Sequence, residues 1–512
     1  MNRHFLKVLL SFSLAAVLLT GCWQEAPPEV EGLTPVQSGQ SAPQTTETRS
    51  ILPKVFALPY APDQSLDPVS CPDGMQQTVS SLLYEGLFRL NEALEPEAWL
   101  CQQYTYDSAA YVYTFVLKSG ITFSDGAPLT AADVKATLDR ARSAERYRAR
   151  FAGIVSISAA GNTVTISLSG PNTGFPALLD VPIVKAGTEK DAAPVGTGPY
   201  LFSVSDGRAY LVANQSWWRG GRQPIDRIAL VEAADRDTML YRFTSHDVQL
   251  ITADLIGTSS ISATGNTSYL DADTTTLLYI GCNTTRAPLD NAAFRQALWK
   301  GFNRSYVVSA FLSGHGAAAQ FPVSPRSSLY PVSLEARYSA DDFAAALTAS
   351  GYTPSHTLTL LVNEENSFKV SVAEYLSSFL TAAGVPVKVS ALPWEAYAAA
   401  LSAGNFDLYF GEVKLTADWN LAGLLSTGGA LNYGRWSNPQ TDQLLLALSA
   451  ATDRAAAMEA LCTHLRAQSP ILPVCFKSAS VLMQTDVLDG LTPTMAEPFY
   501  NLSECVIHLQ AE

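Results

Sequence analysis

A short segment in the C-terminal third of the chain combines residue types that bind small polar molecules. It follows an apolar strand predicted at 406–410 and reads GEVKLTADWNLAGLLSTGGALNYGRWSNP. Its aspartate can pair with an ammonium group, because a partly buried charge needs an opposite charge and hydrogen bonds. Its lysine can meet a carboxylate, its aromatic rings can form apolar walls, and its amides can bind the backbone of an extended ligand. Together with one earlier asparagine, the candidate ligand contacts are Lys414, Asp418, Trp419, Asn432, Tyr433, Trp436 and Asn283.

Each candidate also has a purely structural interpretation. Asp418 can cap a helix over 419–425, a role that aspartate fills well. Lys414 can be a solvated surface charge, and the aromatic rings can be ordinary packing. Asn283 and Asn432 can satisfy a turn or a strand end. The sequence leaves both interpretations open at each of these positions.

Alternating strands and helices predict the sheet that positions this segment. Gly384 and Gly404 each end a helix, and Trp394 is expected in the core. Because the links are short, the order predicts a parallel sheet with right-handed crossovers, and ligands bind outside the carboxyl ends of such strands. The predicted order is strand 357–363, helix 372–383, strand 385–392, helix 394–403 and strand 406–410.

An earlier part of the chain, about 86–190, predicts a small mixed α+β unit. The β-branched and aromatic run from Val112 indicates a strand that stops at a glycine. Thr130 and Asp133 form the pattern of a capping box, which predicts a helix running to about Ala141. Alternating apolar and polar residues from Gly161 predict a further strand.

The first 50 residues predict export and a lipid anchor. Basic residues precede an apolar run at 8–19, which is too short to span a bilayer at ~20 residues and is typical of a secretory signal. The motif Leu-Thr-Gly-Cys that follows resembles the bacterial lipobox, in which the cysteine, here Cys22, receives a diacylglycerol. We therefore expect a signal peptide and lipobox at 1–22 and a disordered, polar tether at 23–50. The alternative is an ordinary signal peptide with a chance cysteine.

Composition bounds the rest of the chain. About 460 residues follow the tether, which predicts two or three domains. A net charge of −14 argues against a nucleic-acid surface, which needs clustered Lys and Arg. Besides Cys22, the chain has cysteines at 71, 101, 282, 462, 475 and 505, without a C-x-x-C zinc pattern. Buried free thiols and one or two disulfides both remain open.

The common catalytic and metal motifs are absent from the sequence. It has no G-x-S-x-G elbow, no H-E-x-x-H and no Gly-Lys pair of a phosphate-binding loop. Its six histidines are scattered. We therefore expect no enzyme activity, no resident metal and no cofactor, although a nucleophile and base assembled only by the fold would escape this search.

Several motifs, in order along the body, resemble a known family. They are identified as the pattern of the extracytoplasmic solute-binding proteins of ABC importers in the oligopeptide, dipeptide and nickel class, also called family 5. The resemblance covers nearly the whole body. The matching runs are SLDPVSCPDGMQQTVSSLLYEGLFRLN, YTFVLKSGITFSDGAPLTAADV, GTGPY, NQSWWRGG, DRIAL, GCNTTRAPLDNAAFRQALWKGFNR and YGRWSNPQTDQLL.

The resemblance implies an α/β, two-lobed fold of the periplasmic-binding-protein type, class II, with an extra α+β subdomain in the first lobe. Lobe I would take 51–270 and 480–512, including the subdomain at about 86–190, and lobe II would take 275–480. The lobes would close on a ligand by hinge motion. In peptide-binding relatives an acidic residue after the strand equivalent to 406–410 pairs with the ligand's α-amino group, and here that position is Asp418.

The resemblance also implies the partners. The expected ligand is a short peptide, and the expected receiver is an ABC permease with its ATPase. We expect a monomer, held by Cys22 on the extracytoplasmic face of the cell membrane, that binds no nucleic acid. The alternatives are a peptide-sensing or chaperone-like lipoprotein without transport, and a binder of nickel chelates, sugars or opines. Direct nickel coordination by 406–445 is not expected, because that segment has no histidine, the favoured protein ligand of nickel.

Overall fold

The computed structural model describes residues 52–72, 74–258 and 266–510. These residues form a mixed α/β structure. The strands are β1 (Ala57–Tyr60), β2 (Glu85–Gly86), β3 (Phe88–Leu90), β4 (Pro96–Ala98), β5 (Cys101–Asp107), β6 (Val112–Leu117), β7 (Ile154–Ala160), β8 (Thr163–Leu168), β9 (Pro182–Ile183), β10 (Tyr200–Ser205), β11 (Arg208–Ala213), β12 (Arg227–Glu232), β13 (Leu250–Ala253), β14 (Thr267–Cys282), β15 (Gly316–Ala318), β16 (Leu358–Asn363), β17 (Val387–Leu392), β18 (Leu408–Lys414), β19 (Ile471–Gln484), β20 (Leu488–Asp489) and β21 (Val506–Ile507).

The α-helices alternate with these strands mainly in the second half of the described chain. They are α1 (Met75–Ser80), α2 (Ala131–Ala141), α3 (Glu145–Arg148), α4 (Arg236–Thr244), α5 (Ala292–Lys300), α6 (Arg304–Phe311), α7 (Ala340–Ala349), α8 (Ser367–Ala382), α9 (Trp394–Ala403), α10 (Ala422–Leu425), α11 (Pro439–Ala450) and α12 (Arg454–Gln468). Among the described residues, no helix combines the length and the apolar character needed to cross a membrane.

The α+β unit is built on an antiparallel sheet in the order β5-β6-β8-β7. Along β6 and β8 the side chains alternate between buried and half-buried, as expected when one face of a sheet packs against a core. Helix α2 begins after Thr130, whose backbone N–H and hydroxyl both donate to the Asp133 carboxylate. The two strands and the helix start that the sequence predicts here are confirmed.

The largest sheet has the order β13-β19-β14-β18-β16-β17, with β15 paired to β19. Strand β16 pairs in parallel with both β17 and β18, so the predicted parallel arrangement is confirmed for these three strands. The remaining pairs are antiparallel and make the sheet mixed. Strand β18 continues to Lys414 rather than ending at residue 410, because β14 pairs with its whole length, from Leu408 to Lys414.

Two long strands, β14 and β19, contribute to two of the hydrophobic cores. One end of β14, residues 267–273, pairs with the C-terminal part of β19, and its other end, from Leu277, pairs with the start of β19. A register shift separates the two halves between Asp273 and Leu277. The first half adjoins a core that also contains strands β1, β11 and β12, and the second half belongs to the core around β16 and β18.

A second four-stranded sheet, β1-β12-β11-β10, lies in the first of these cores, and β2-β9, β3-β4 and β20-β21 form two-stranded sheets. Strand β1 pairs in parallel with β12, and the other pairs are antiparallel. The C-terminal segment returns to this core through buried residues from Val481 to Cys505. The beginning and the end of the described chain therefore pack together.

Two local expectations are settled by the structure. The six cysteines beyond Cys22 are all buried free thiols, so the open question of disulfides is answered in favour of reduced cysteines. Trp394 was expected in the core, and this is wrong, because its side chain is 60% exposed at the first turn of α9 and stacks only on Tyr397.

Candidate functional site

A cavity lies between two parts of the chain that are far apart in sequence. One wall comes from residues 149–178 of the α+β unit and the other from residues 413–454, which begin at the end of β18. Its volume is about 380 Å³, at the lower end of the ~300–1,000 Å³ typical of ligand sites. The polar part of the lining includes Arg150, Asn172, Lys414, Thr416, Asp418, Asn420 and Arg454. The apolar part includes Ile154, Leu168, Phe175, Leu178, Val413, Leu421, Leu424, Leu445 and Leu448.

The two walls touch each other beside the cavity. The turn after β8 carries Asn172 and Thr173 toward the second wall. The Thr173 backbone N–H donates to the Ser449 carbonyl at 2.9 Å, and its hydroxyl donates to the Ala451 carbonyl at 2.8 Å. The Asn172 amide donates to the Asp418 carboxylate at 2.8 Å. These contacts connect the α+β unit to the end of α11 and to the segment after β18.

The segment after β18 turns sharply at Trp419. This residue has φ +54°, in the left-handed region that is uncommon for a large side chain and costs of order 1–3 kcal/mol. Its indole is 2% exposed and packs edge-on against Phe476 at 5.8 Å. The backbone N–H of Trp419 donates to the Thr416 carbonyl, which closes the turn. Burial of the ring therefore holds a strained backbone at the carboxyl end of a central strand.

Asp418 is buried, with 4% exposure, and its carboxylate accepts hydrogen bonds from neutral groups only. The donors are the Thr416 hydroxyl, the Asn420 backbone N–H at 3.3 Å and the Asn172 amide. A carboxylate offers about four acceptor positions, so one position remains on Oδ2, which receives only the Asn172 amide. The interpretation of Asp418 as a helix cap is wrong, because α10 begins at Ala422 with Leu421 as its N-cap residue, and the first helical N–H donates to the Asn420 side chain instead.

Two half-buried arginines line the cavity, one on each wall. On the second wall, Arg454 donates from Nη2 to the backbone carbonyl of Asp418, and its Nε has no hydrogen-bond partner. On the first wall, Arg150 donates to the Leu178 carbonyl and forms an ion pair with Asp180. Burial lowers the pKa of both arginines, that of Arg150 to about 10, because removal of water disfavours the charged guanidinium.

Three of the seven sequence-predicted contacts lie in the lining of this cavity. Lys414 is at the end of β18 with an exposed side chain, and Asp418 and Trp419 follow it. The other four lie outside this lining. Asn283 bonds to the Gly404 and Phe406 carbonyls, and the Tyr433 ring packs against Tyr409 at 6.1 Å.

The two remaining candidates brace the loop after α10. The Asn432 amide donates to the Ser426 and Trp436 carbonyls, and its oxygen accepts from the Trp436 N–H. The Trp436 indole donates to the Thr441 hydroxyl at 3.1 Å. Both side chains thus use their polar atoms within their own loop and the helix that follows. Cys22 lies outside the described residues.

Sequence reasoning missed Arg150, Asn172 and Arg454. Asn172 and Asp418 are separated by 246 positions, and periodicity carries no information about a contact of that range. The usable signal is local. Asn172 sits in a Pro-Asn-Thr-Gly turn directly after a predicted strand, and polar turns at strand ends are frequent ligand contacts. Within the described ranges, no group of three or more His, Cys, Asp or Glu side chains is arranged to hold a metal ion.

Comparison with known proteins identifies the family. The sequence model of the bacterial extracellular solute-binding proteins, family 5 (middle region), matches residues 95–430, well over half of the chain. The chain belongs to this family. It is therefore a solute-binding protein of an ABC importer, a transport component that acts outside the cytoplasm and delivers small solutes to a permease and its ATPase.

Individual relatives agree with this assignment. The glutathione-binding protein GsiB of Pectobacterium atrosepticum is 28% identical over 420 residues, covering 76% of this chain and 82% of that protein. Among solved structures, the nickel ABC transporter protein of Bacillus halodurans superposes with a TM-score of 0.74 at 21% identity, covering 88% of this chain and 98% of its own. The unliganded open form of the murein tripeptide binding protein MppA gives a TM-score of 0.74 at 21% identity, covering 89% and 98%.

These structural neighbours show the fold. It is the two-lobed α/β fold of periplasmic binding proteins, as the sequence resemblance implied. The mixed sheet with its parallel β17-β16-β18 portion and the separate α+β unit are the parts of that fold that form the cavity.

Proposed function

We propose that this protein captures a short peptide in the cavity between residues 149–178 and 413–454 and delivers it to an ABC permease. The observation that carries the proposal is the buried Asp418 carboxylate, which lines the cavity, receives only neutral donors and has one acceptor position left. A peptide's α-ammonium supplies the charged donor that this position lacks.

The rest of the lining suits the rest of a peptide. Lys414 and Arg454 lie on the same wall as Asp418 and are suited to carboxylates. The Leu and Phe side chains, with the Trp419 ring, give apolar surface for ligand side chains. The small volume favours a di- or tripeptide over a long one. Two of the proteins similar to this chain are named for glutathione and murein tripeptide, which are both short peptides.

We propose that closure of two lobes traps the ligand. Lobe I is assigned to residues 51–270 and 480–512, with the α+β subdomain at about 86–190, and lobe II to residues 275–480. The long strands β14 and β19 would be the hinge, because each contributes to both cores and their pairing is irregular between Asp273 and Leu277. Hinge closure of this kind is driven by a ligand that binds the closed form better than the open form.

In this proposal the seven predicted contacts have two roles. Lys414, Asp418 and Trp419 touch the ligand directly. Asn432 and Trp436 hold the loop after α10, and Asn283 and Tyr433 support the strand and turn behind it. The second group would act on affinity only by positioning the first.

A ligand screen tests the function. Residues 48–512, which form one compact unit, are screened by thermal shift against di- to octapeptides, glutathione, amino acids, sugars, opines and nickel–histidine complexes. A ligand at 100 times its Kd stabilises the native state by about 2.7 kcal/mol. We expect di- or tripeptides to raise the melting temperature. If only non-peptide compounds raise it, the peptide proposal is wrong.

An uptake experiment distinguishes a transport function from a sensing or chaperone-like function. Cells that express the full chain with its permease are expected to accumulate the labelled peptide, and cells that lack the chain are not. Equal accumulation in both would favour the alternative of a peptide-sensing or chaperone-like lipoprotein.

We also propose that a diacylglycerol on Cys22 anchors the protein to the extracytoplasmic face of the membrane. Two acyl chains on one residue hold a protein stably where a single chain does not. Metabolic labelling with palmitate should mark the wild-type protein in the membrane fraction. A Cys22→Ser variant should lose the label and leave the membrane, and equal membrane retention of the variant would contradict the anchor.

A further inference from the structure

Positively charged side chains outnumber negatively charged ones in the lining of the cavity. Arg150, Lys414 and Arg454 are cationic, and Asp418 is the anionic side chain of the described lining. Arg150 already forms an ion pair with Asp180, which is not part of the lining. Two further cations, Lys414 and Arg454, therefore line the same wall as the one carboxylate.

Arg454 forms no direct ion pair with a carboxylate among the described residues, although the charge of the nearby Asp418 acts on it. Its guanidinium donates to the backbone carbonyl of Asp418, which carries a partial charge only, and its buried Nε donates to nothing. Burial lowers the pKa of Arg454, and the charge of Asp418 offsets this lowering only in part. A ligand carboxylate would restore that missing interaction.

Lys414 is the second cation without an internal partner. It is the last residue of β18, and its exposed side chain makes no hydrogen bond or ion pair with another described residue. Glu412, two positions earlier on the same face of the strand, is already held by Lys369 and Lys477. The Lys414 ammonium is therefore available to a group inside the cavity.

This inference rests on the proposed peptide function. The α-ammonium of a peptide would pair with Asp418, and its C-terminal carboxylate would pair with either Lys414 or Arg454. We propose that the second cation selects di- and tripeptides that carry one additional carboxylate, so that the preferred ligand has a net charge of −1. Neutral peptides of the same size leave either the exposed Lys414 or the half-buried Arg454 without an anionic partner, and basic peptides add repulsion.

Matched tripeptides test this selectivity. Ala-Glu-Ala, Ala-Gln-Ala and Ala-Lys-Ala are titrated into residues 48–512 by isothermal calorimetry, because Glu and Gln have nearly the same shape and differ by one charge. We expect Ala-Glu-Ala to bind at least about tenfold more tightly than Ala-Gln-Ala, as charge-assisted hydrogen bonds are stronger than neutral ones. Ala-Lys-Ala should be weaker than both. Added salt should weaken Ala-Glu-Ala the most.

Variants identify the cations. Lys414→Gln is the main variant, because its exposed side chain makes no internal contact that folding needs. Arg454→Gln is the second. Lys388→Gln, on the exposed surface of β17 in the same sheet, is the matched control. The preference for Ala-Glu-Ala should fall in Lys414→Gln or Arg454→Gln and stay unchanged in Lys388→Gln.

The outcomes separate the two proposals. If Ala-Gln-Ala binds as tightly as Ala-Glu-Ala, or if the preference survives in both cavity variants, the charge selectivity is wrong and the peptide function stands. If none of the three peptides binds and only a non-peptide solute does, the peptide function fails, and the selectivity fails with it.

Discussion

Replacing Asp418 by asparagine removes the negative charge that the proposed site uses and keeps the shape of the side chain. The carboxylate is 4% exposed, so a ligand ammonium on it is largely shielded from water. A hydrogen bond between charged groups in such a place contributes about 1.5–3 kcal/mol, which is roughly 10–150-fold in affinity. The variant should lose affinity by that factor for a peptide with a free amino group.

A cycle of two changes isolates this interaction from other effects. Wild type and Asp418→Asn are each titrated by calorimetry with Ala-Glu-Ala and with its N-acetylated form. Wild type should prefer the free amine, and the variant should bind both peptides about equally. The coupling energy between the two changes should be about 1.5–3 kcal/mol.

The substitution also has a structural cost that must be measured. The new amide nitrogen can face the Asn172 amide, and two donors cannot bond each other, so a loss of about 1–3 kcal/mol in the free energy of unfolding is expected. Asp442→Asn is the matched control, because Asp442 accepts from the Thr427 backbone N–H outside the cavity. If Asp418→Asn still prefers the free amine as wild type does, Asp418 does not bind the ligand's ammonium.

Three further predictions concern the free energy of unfolding and the solvent exposure of buried groups. Trp419→Ala should reduce the free energy of unfolding by about 3–5 kcal/mol, because a buried ring is lost. Trp394→Ala, at an exposed position, should change it by no more than about 0.5 kcal/mol. Equal denaturant midpoints for the two variants would contradict the burial of Trp419. Burial raises the pKa of Glu412, but the charges of Lys369 and Lys477 lower it further, so the pKa lies below its usual value. The ionised Glu412 therefore stabilises the fold above about pH 4.5, and this stabilisation is lost as the pH falls. In thermal melts between about pH 5 and pH 3, Glu412→Gln should lose less stability than wild type, and parallel curves would refute this. The six described cysteines should resist Ellman's reagent in the native state, because all are buried and burial raises the pKa of several of their thiols. All six should react in guanidinium. Rapid reaction of the native protein would contradict their burial.

Local patterns in the sequence predicted the parts of the fold that are held together by neighbours in the chain. The alternation at 112–117 and 163–168 and the capping box at Thr130 depend on residues within a few positions, and the structure has all three. The run of strands and helices over 357–410 was also predictable from the sequence, because βαβ units use short links and parallel pairing.

The pairing of β14 with β19 and β18 could not be read in the same way. These partners lie well over a hundred positions apart, and β-branched or apolar content does not name a partner. For the same reason the end of β18 was placed at residue 410, since only the presence of β14 extends it to Lys414.

The candidate site divides along the same line. The sequence predicted Lys414, Asp418 and Trp419 as site residues because they follow a predicted strand at the carboxyl edge of its sheet. Arg150 and Asn172 belong to the opposite wall, and Arg454 begins a later helix, so only the packing of the two walls brings them to Asp418. Proximity in the chain does not by itself place a side chain in the cavity lining. Asn432 and Trp436 bond within their own loop and the helix after it, and the Tyr433 ring packs against Tyr409.

A crystal structure of residues 48–512 with the tightest-binding tripeptide tests the central claim most directly. The account predicts the peptide between the two walls, with its amino nitrogen about 2.7–3.2 Å from an Asp418 oxygen and carboxylates at Arg454 and Lys414. A peptide bound elsewhere, or in contact with only one of the walls 149–178 and 413–454, would contradict it.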